Sequence, residues 1–381
     1  VQSTQLRAFW NRGRPRVGDF SPNEIIFSPD IYDVQLEHAF QSFGGLRWVV
    51  GASFRRSVME SDVYVQSHIA QNDWAGFGEG IWLVNDKWSM VASGRLDRNP
   101  NTGWVFSPKG SLIFLPHQQH VFRLSAGTSF RNPTLTESYI DIIQKIDLPF
   151  PIDVRLRAIG NAQTDPEKLH MYELAYTALF EKVNFKATGF HYHLNKMIST
   201  PDFRLVEEAF PKEILLQADF GNLQGSTSVW GGELGAEVLF SQSVKGFVNY
   251  AYQHITGTLD AVMPIEGGPR HKVNLGVQTK QKGWSFVAWA HWVDQTHYYT
   301  VDIQRLIDSL NVDTFQVSAF WLLNGRLSYD ISQTGLSVGI EGFNLLNHKH
   351  YQIPGGGGED VLDANGEILS RRMNATVSYQ F

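Results

Sequence analysis

The chain of 381 residues contains no cysteine, and no part of it approaches the roughly 20 consecutive apolar residues that a membrane-spanning helix needs. The first absence excludes disulfide frameworks and thiolate metal sites, and the second excludes a helical membrane protein. Basic residues are also few, since 32 Lys and Arg stand against 38 Asp and Glu, for a net charge of −6. No basic stripe is available to follow a phosphate backbone, so we exclude a nucleic-acid partner.

Alternating polarity is the dominant pattern, and it is clearest in the last eleven residues, Arg371–Phe381. There Met373, Val377 and Phe381 share one face of an extended strand, and the even-numbered residues on the opposite face are polar. An apolar stripe toward lipid and a polar stripe toward a wet interior are typical of an outer-membrane barrel strand. A soluble sheet can alternate in the same way, so only repetition of the pattern distinguishes the two.

The pattern recurs along the chain. Charged residues fall on the polar face of each repeat and hardly at all on the apolar face, because an arginine at the bilayer midplane costs about 2–4 kcal/mol. Aromatic residues make up 13% of the chain, which suits the two interfacial girdles of a barrel. The clearest repeats cover residues 46–55, 121–130, 172–180, 321–329 and 336–341.

Short turns alternate with long polar segments between the predicted strands. The turns lie near Gly44, Asn85, Glu181, Ser241, Gln281 and Ile331. The long segments cover residues 11–30, 60–74, 131–167, 200–223, 256–269, 300–313 and 348–370. One rim therefore carries turns and the other carries loops, as in bacterial barrels with short periplasmic turns. Counting back from the C-terminal strand predicts an all-β, antiparallel up-and-down transmembrane β-barrel of about 16 strands, whose first strand runs outward.

Five segments resemble, in order, the successive signatures of TonB-dependent outer-membrane receptors. They are FRNPTLTESY (Phe130–Tyr139), GNAQTDPEKLHMYEL (Gly160–Leu174), GGELGAEV (Gly231–Val238), PRHKVNLG (Pro269–Gly276) and FNLLNHKHY (Phe343–Tyr351). The resemblance implies a 22-stranded barrel with an N-terminal plug inside it. Nothing before the first strand resembles a plug, a TonB box or a signal peptide, and the given sequence does not begin with Met. We therefore interpret residues 1–381 as one barrel domain, the C-terminal part of such a receptor.

The resemblance also implies a location and a function. The expected location is the outer membrane of a Gram-negative bacterium, where extracellular loops bind a scarce, large ligand and an inner-membrane TonB complex pulls on the plug to open a path. A ferric siderophore is the expected ligand, with cobalamin, haem and oligosaccharides as alternatives. The implied partners are the TonB complex, the lipid bilayer and the barrel-assembly machinery, which reads the terminal Phe381. We expect a monomer without a cofactor.

Aromatic and basic residues on the long segments are the candidate ligand contacts. Guanidinium groups pair well with anionic oxygens, and tyrosine offers both a ring and a hydroxyl to a catecholate. The candidates are Arg131, Tyr139, Arg155, Arg157, Tyr298 and Tyr299.

Each signature also has a structural interpretation, which we favour. Pro133 has no N–H to donate and can end strand pairing where the strand leaves the bilayer. The dipeptide Asp165-Pro166 sets a rigid entry into the next strand. Residues 343–351 are expected to cap a strand at the outer rim.

Two histidine pairs raise the question of metal or haem binding. His191 with His193, and His348 with His350, each place two imidazoles on one face of an extended chain. No third ligand stands at a fixed spacing, so we favour surface histidines and predict no metal site. Haem receptors of the family carry a histidine between the first two signatures, and residues 134–160 contain none.

Other function classes receive less support. The adjacent carboxylates Glu207-Glu208 and Glu359-Asp360 lie in predicted loops, and no nucleophile elbow or phosphate-binding loop occurs, so we predict no enzyme and no catalytic residue. Gly355–Gly358 follows no strand-to-helix pattern, which favours a flexible loop over a phosphate site. An outer-membrane protease or lipase would resemble a smaller barrel. A passive porin remains the main alternative, because about 16 strands would enclose an open channel.

Overall fold

The computed structural model describes residues 2–13, 16–17, 25–26, 28–60, 68–146, 153–199, 204–209, 213–257, 268–300, 313–331, 334–351 and 368–379. Within these residues, no helix has both the length and the apolar character needed to cross a membrane.

Sixteen strands of the described chain form one antiparallel sheet, in which each strand pairs with the next one along the sequence. This order confirms the predicted up-and-down barrel fold and its number of strands. The strands are β1 (Ser3–Arg12), β2 (Ser28–Gln41), β3 (Leu46–Glu60), β4 (Ile69–Leu83), β5 (Trp88–Asn99), β6 (Gly103–His117), β7 (His120–Arg131), β8 (Glu167–Leu179), β9 (Val183–Asn195), β10 (Ser226–Ser241), β11 (Val244–Gly257), β12 (His271–Gln281), β13 (Trp284–Val293), β14 (Phe320–Ile331), β15 (Leu336–Phe343) and β16 (Arg372–Tyr379).

The two outermost strands leave the sheet open within the described residues, because β1 pairs with β2 alone and β16 with β15 alone. Further strands and a plug, expected from the family resemblance, stay predictions. The terminal Phe381 lies outside the described residues, as do the glycines 355–358 and the carboxylates at 359 and 360.

The connections divide the sheet into two ends. At the turn rim, strands are joined by residues 42–45, 84–87, 118–119, 180–182, 242–243, 282–283 and 332–335. At the loop rim, they are joined by residues 13–27, 61–68, 100–102, 132–166, 196–225, 258–270, 294–319 and 344–371. The predicted alternation of turns and loops is confirmed, and β1 runs toward the loop rim as expected. Residues 100–102 are the exception, since they form a tight turn at the loop rim.

The strand register places the predicted apolar stripes on a single surface, which we call the apolar face. Leu112, Leu124 and Leu174 are direct neighbours across β6, β7 and β8. Leu124 and Leu174 are 56% and 57% exposed, whereas Ser125, on the opposite polar face, is 4% exposed. Large apolar side chains thus point away from the protein while small polar ones are packed, as expected when the solvent of the apolar face is lipid.

Aromatic side chains form two rows on the apolar face. Near the loop rim, Phe54 packs on Trp74 with ring centroids 4.4 Å apart. Near the turn rim, Trp284 packs on Tyr329 at 4.8 Å. Within β4, Trp74 and Trp82 are eight residues apart, which is about 26 Å along a strand and about 20 Å along the membrane normal for strands tilted by about 40°. This spacing fits the two girdles predicted from the composition.

Two loops at the loop rim build a second, smaller sheet, which the sequence did not predict. Its strands, in spatial order, are Asp141–Ile146, Asp153–Ile159, Glu213–Asp219 and Arg204–Ala209. The two central strands run parallel and come from different loops, residues 132–166 and 196–225. We call this unit the loop sheet, because it joins the connection after β7 to the connection after β9.

Shorter elements complete the described chain. Most are two-stranded pairs at the loop rim, which extend neighbouring barrel strands. They are Arg16–Val17 with Ile25–Ile26, Ile198–Ser199 with Gly221–Asn222, Thr296–Thr300 with Asp313–Val317, and His350–Tyr351 with Ile368–Leu369, besides the 3-10 turn Phe43–Gly45 and the helix α1, Leu135–Tyr139.

Candidate functional site

Arg131, the last residue of β7, is the centre of a hydrogen-bonded cluster at the loop rim. Its Nε and Nη2 donate to the two carboxylate oxygens of Glu167 at 2.7 and 2.8 Å, and its Nη1 donates to Glu137 at 2.8 Å. The side chains of Glu167 and Glu137 are only 13% and 16% exposed. Hydrogen bonds to Glu167 and Glu137 raise the pKa of Arg131 above its ordinary value. The arginine of the first signature therefore holds two strand ends and a helix together.

The helix α1 begins with a capping box. Thr134 Oγ1 accepts the N–H of Glu137 at 3.1 Å, and the Glu137 carboxylate accepts the N–H of Thr134 at 2.7 Å. Burial alone would raise the pKa of Glu137, but hydrogen bonds from Arg131 and Thr134 outweigh it, so this pKa lies below its ordinary value. Glu137 is consequently charged at neutral pH and joins the helix to Arg131.

The chain returns to α1 at Gly160, the first residue of the second signature. A Cβ at this position would lie 2.6 Å from the carbonyl carbon of Ser138 and 2.7 Å from the nitrogen of Ile140. The Gly160 N–H donates to the Ile140 carbonyl at 2.7 Å, and the Asn161 N–H donates to the Glu137 carbonyl at 2.9 Å. Glycine is required here because any side chain would push the returning loop off the helix.

Asp165, just before β8, ties the loop after β7 to the loop after β9. Its N–H donates to Asn222 Oδ1 at 2.8 Å, and Asn222 Nδ2 donates back to the Asp165 carbonyl at 2.9 Å. Lys196 Nζ lies 2.6 Å from Asp165 Oδ2. Glu167, already paired with Arg131, also accepts the N–H of Ile198 at 2.8 Å. The Asp165-Pro166 signature thus fixes a rigid entry to β8, as its structural interpretation predicts.

The tight turn between β5 and β6 is part of the same cluster. Tyr139 donates its hydroxyl to Asn101 Oδ1 at 2.9 Å, and Thr102 donates to Asn132 Oδ1 at 3.0 Å. Asn99 closes the turn, since its Oδ1 accepts the N–H groups of Asn101 and Thr102 at 2.9 and 3.2 Å. We call the set of Arg131, Glu137, Glu167, Asp165, Lys196, Asn222, Tyr139 and Asn101 the rim cluster.

The loop sheet has one apolar and one charged face. Val154 and Ala218 lie on the same face and are 3% and 1% exposed. Arg155 and Arg157 lie on the other face, where Lys145 is the register partner of Arg155. Arg157 donates from Nε and Nη2 to both oxygens of Asp141 at 2.8 and 2.7 Å, and this pairing raises the pKa of Arg157. Two of the predicted ligand contacts therefore share one face of an extramembrane sheet.

A family model described as a TonB dependent receptor-like beta-barrel matches residues 2–345. The chain belongs to the TonB-dependent receptor family. Family membership confirms the resemblance drawn from the five signatures.

Individual relatives agree with this assignment. A segment of 72 residues is 32% identical to the iron-regulated outer membrane virulence protein of Vibrio cholerae, and it covers 19% of the chain and 11% of that relative. Over its whole length the receptor has the fold of the siderophore receptor PirA from Acinetobacter baumannii, with a TM-score of 0.73 at 12% identity. The FrpB iron transporter from Neisseria meningitidis gives 0.75 at 12% identity over 99% of the chain. The receptor chain spans 60% of the length of each of these two solved chains.

The family fixes the location and the orientation. The receptor lies in the outer membrane of a Gram-negative bacterium. Barrels of this membrane keep short turns on the periplasmic side and long loops outside, so the loop rim, the rim cluster and the loop sheet face the exterior of the cell.

The remaining candidates lie on another loop of the receptor. Tyr298 and Tyr299 belong to the strand Thr296–Thr300, which pairs with Asp313–Val317. Their side chains lie outside the described part of the structure. The structure does not bring them together with Arg131 or Tyr139 in any described contact, and all six candidate ligand contacts stay predictions.

Three of the four paired histidines, His191, His193 and His348, have described side chains, and these lie at surface positions. His191 stacks on Tyr172 at 6.3 Å, and His193 Nδ1 lies 2.8 Å from Ser228 Oγ, both on the apolar face near the loop rim. His348 stacks on Phe320 at 6.2 Å, and the side chain of His350 lies outside the described residues. In the part of the chain that the structure describes, no three His, Cys, Asp or Glu side chains converge on a common point.

The last signature of the receptor forms a turn that ends β15. Asn344 and Asn347 have φ angles of 49° and 52°, a left-handed conformation that asparagine tolerates. Asn344 accepts the His348 N–H at 3.0 Å and donates to the His348 carbonyl at 2.8 Å. This geometry supports the predicted strand cap at the outer rim.

Several residues of the site were missed by sequence reasoning. The capping box of Thr134 and Glu137 could have been found, because it follows the T-x-x-E pattern. Asn222 and Asn101 give no such signal, since each acts on a partner at least 26 residues away in the chain.

Proposed function

We propose that the receptor takes up a scarce, large ligand, most favourably a ferric siderophore, and that an inner-membrane TonB complex supplies the energy. The observation that carries the proposal is the loop sheet, a folded extramembrane unit joined to the barrel by the rim cluster. Ligand-binding loops that are held by a rigid base lose less entropy on binding than free loops do. The solved structures of similar fold support a ferric ligand, because PirA is described as a siderophore receptor and the Pseudomonas aeruginosa protein as a ferric enterobactin receptor.

The charged face of the loop sheet is the proposed point of first contact. Arg155 and Arg157 are held at a two-residue spacing on a strand, about 7 Å apart. An anionic iron complex with several oxygen donors would accept charge-assisted hydrogen bonds from both guanidinium groups. The ligand would compete with Asp141 for Arg157, so binding would rearrange this end of the loop sheet.

Energy is proposed to come from TonB acting on a plug, the part of a receptor that closes its barrel. In that scheme the rim cluster keeps the outer ligand site in place while the path below it opens. The barrel-assembly machinery would insert the receptor by reading Phe381, and the receptor would act as a monomer.

The test is iron uptake from a radiolabelled ferric siderophore by cells with and without the receptor gene. Uptake that requires the gene, an intact TonB complex and a proton gradient would support the proposal. The double variant Arg155→Ala/Arg157→Ala should weaken ligand binding about tenfold or more, as expected for the loss of two charge-assisted contacts. Lys182→Ala, at the turn rim, is the matched control and should bind normally.

A passive porin is the competing function. It predicts uptake that continues without TonB and rises in proportion to the solute gradient, with no saturation at low ligand concentration. Gene-dependent uptake of this kind would overturn the energised mechanism. Uptake of cobalamin, haem or an oligosaccharide in place of iron would retain the mechanism and replace the ligand.

A further inference from the structure

A cleft of about 360 Å³ opens on the apolar face of the barrel near the loop rim. Its apolar wall includes Trp104, Phe106 and Phe130, and its polar edge includes Lys168 and His170. Trp104 and Phe106 are 62% and 58% exposed toward the lipid side. The cleft is therefore open to the bilayer, and Asp165 and Lys196 of the rim cluster, paired at 2.6 Å, form part of its outer edge.

The cleft exists because two neighbouring strands separate. Pairing between β6 and β7 ends at Lys109 with Gly127 on the side of the loop rim. Pro108 is the next residue of β6 toward the loop rim, and it has no N–H to continue the ladder. Above the break, β6 continues to pair with β5 as far as Gly103, while β7 continues with β8 as far as Arg131. The gap between the diverging strands is the cleft.

Two cations without a carboxylate partner flank the aromatic wall. The Arg98 guanidinium lies 5.6 Å from the centre of the Trp104 ring, and Arg98 is the register partner of both Trp74 and Trp104. Lys168 is the register partner of Phe130. Among the described residues, neither Arg98 nor Lys168 has a hydrogen-bonded or ion-paired acid. Lys196, at the edge of the cleft, is already paired with Asp165.

The height of these cations in the membrane matters. Trp74 and Trp104 belong to the aromatic row at the loop rim, where the hydrocarbon of the outer leaflet meets its headgroups. Arg98 shares that level, and Lys168 stands further toward the exterior than Tyr172 by four residues, about 13 Å along the strand. Leu96 beside the cleft, and Leu112 and Leu124 below it, are exposed apolar side chains that offer a surface for acyl chains.

We propose that this cleft binds the phosphorylated headgroup of a glycolipid of the outer leaflet. The phosphate would accept hydrogen bonds from Arg98 and Lys168, which supply the charge that the site leaves unpaired. The sugar would stack on the exposed ring of Trp104, and the acyl chains would follow the apolar face. Because the cleft faces lipid and not the ligand path, this inference does not depend on the proposed uptake function.

The test is lipid binding by the protein purified from outer membranes in detergent. Native mass spectrometry would count the molecules bound during titration with bis-phosphorylated lipid A, with dephosphorylated lipid A and with inorganic phosphate. The double variant Arg98→Ala/Lys168→Ala removes both cations. Lys182→Ala removes a cation at the opposite end of the β8–β9 hairpin and is the matched control. Heat-modifiable migration on gels would establish that every variant is folded.

We expect about tenfold or greater weakening of lipid A binding in the double variant, with the control unchanged. Dephosphorylated lipid A should bind the unaltered protein as weakly as lipid A binds the double variant. Equal binding of lipid A to the double variant and the unaltered protein would overturn the proposal, as would equal binding of the dephosphorylated lipid. Displacement of lipid A by millimolar inorganic phosphate would also overturn it, because the site would then recognise free phosphate rather than a lipid.

Discussion

The barrel wall and the rim cluster use charged side chains in different ways. On the wall, each paired charged side chain has one partner of opposite charge. Arg55 pairs with Asp33 on the neighbouring strand, and Arg95 pairs with Asp97 two residues along its own strand, both at 2.9 Å. In the rim cluster, one arginine collects two mostly buried carboxylates, each of which binds a further backbone N–H. Loss of one wall pair leaves the sheet ladders intact, whereas loss of Arg131 leaves two carboxylates without their shared cation. Stability is distributed along the wall and concentrated in the rim.

The largest expected effect comes from placing a charge on the lipid side of the wall. Val248 and Asn249 are adjacent in β11, both exposed, and they lie on the apolar and the polar face respectively. Val248→Arg should strongly reduce assembly, because an arginine facing the bilayer midplane costs about 2–4 kcal/mol. Asn249→Arg faces the wet interior and is the matched control. The measurement is heat-modifiable migration of the barrel in outer membranes, and equal loss in both variants would contradict the facing of the strands.

Next in size is the removal of the central cation of the rim. Arg131→Ala should destabilise the loop base by about 1–3 kcal/mol, because the carboxylates of Glu137 and Glu167 would lose their shared cation at a partly exposed site. Hydrogen exchange should accelerate in residues 134–140, 160–167 and 198–199, while the barrel strands stay protected.

Arg123→Ala is the control for this variant. Arg123 lies on the same strand, but it reaches its carboxylate partner Glu173 only at 4.0 Å. This change should leave exchange at the rim unaltered. If Arg131→Ala also left rim exchange unaltered, the cluster would not hold the loops, and the contrast between wall and rim would fail.

Two glycines, Gly160 at the rim and Gly189 on the wall, compare how the two regions tolerate an added methyl group. Gly160→Ala should cost about 1–3 kcal/mol at the rim, because the added methyl group would overlap the backbone of α1. Gly189, on the apolar face of β9, has open space where its Cβ would be, so Gly189→Ala should be nearly neutral. The stability of the loops in both variants would be measured by thermal unfolding, with protease cleavage at the loop rim as the signal. Equal sensitivity of the two variants would show that the close approach of Gly160 to the helix is dispensable.

The two regions also differ in how far the sequence predicted them. Wall strands were predictable because their physics is periodic: Leu124 must face lipid and Ser125 must not, and every strand repeats this requirement. The rim has no period. Arg131 and Asp165 were recognised through short signatures, but their partners come from distant parts of the chain: the pairing of β7 with β8 brings Glu167 to Arg131 across 36 residues, and a loop contact brings Asn222 to Asp165 across 57. The parallel pairing of residues 153–159 with 213–219 in the loop sheet has no local signal at all.

The smallest expected effect is a dependence of the rim on pH. The pKa of Glu137 is lower in the folded rim than its ordinary value of about 4.3. A lowered pKa contributes stability that is fully present above the ordinary value and is lost as the pH falls through the folded value. Hydrogen exchange of α1, corrected for intrinsic rates, should therefore be constant from pH 7 to about pH 5 and increase in more acidic solution.

Glu137→Gln separates charge from geometry in this test. Glutamine can still accept the Thr134 N–H in the capping box, but it cannot titrate and pairs more weakly with Arg131. The variant should show faster exchange at neutral pH and a flatter dependence below pH 5. Exchange in β11, which lies far along the sheet from this cluster, provides the reference. Should the variant keep the full acid response of the unaltered protein, the titrating group would be another carboxylate, and Glu167, the second partner of Arg131, would be the first to replace with glutamine.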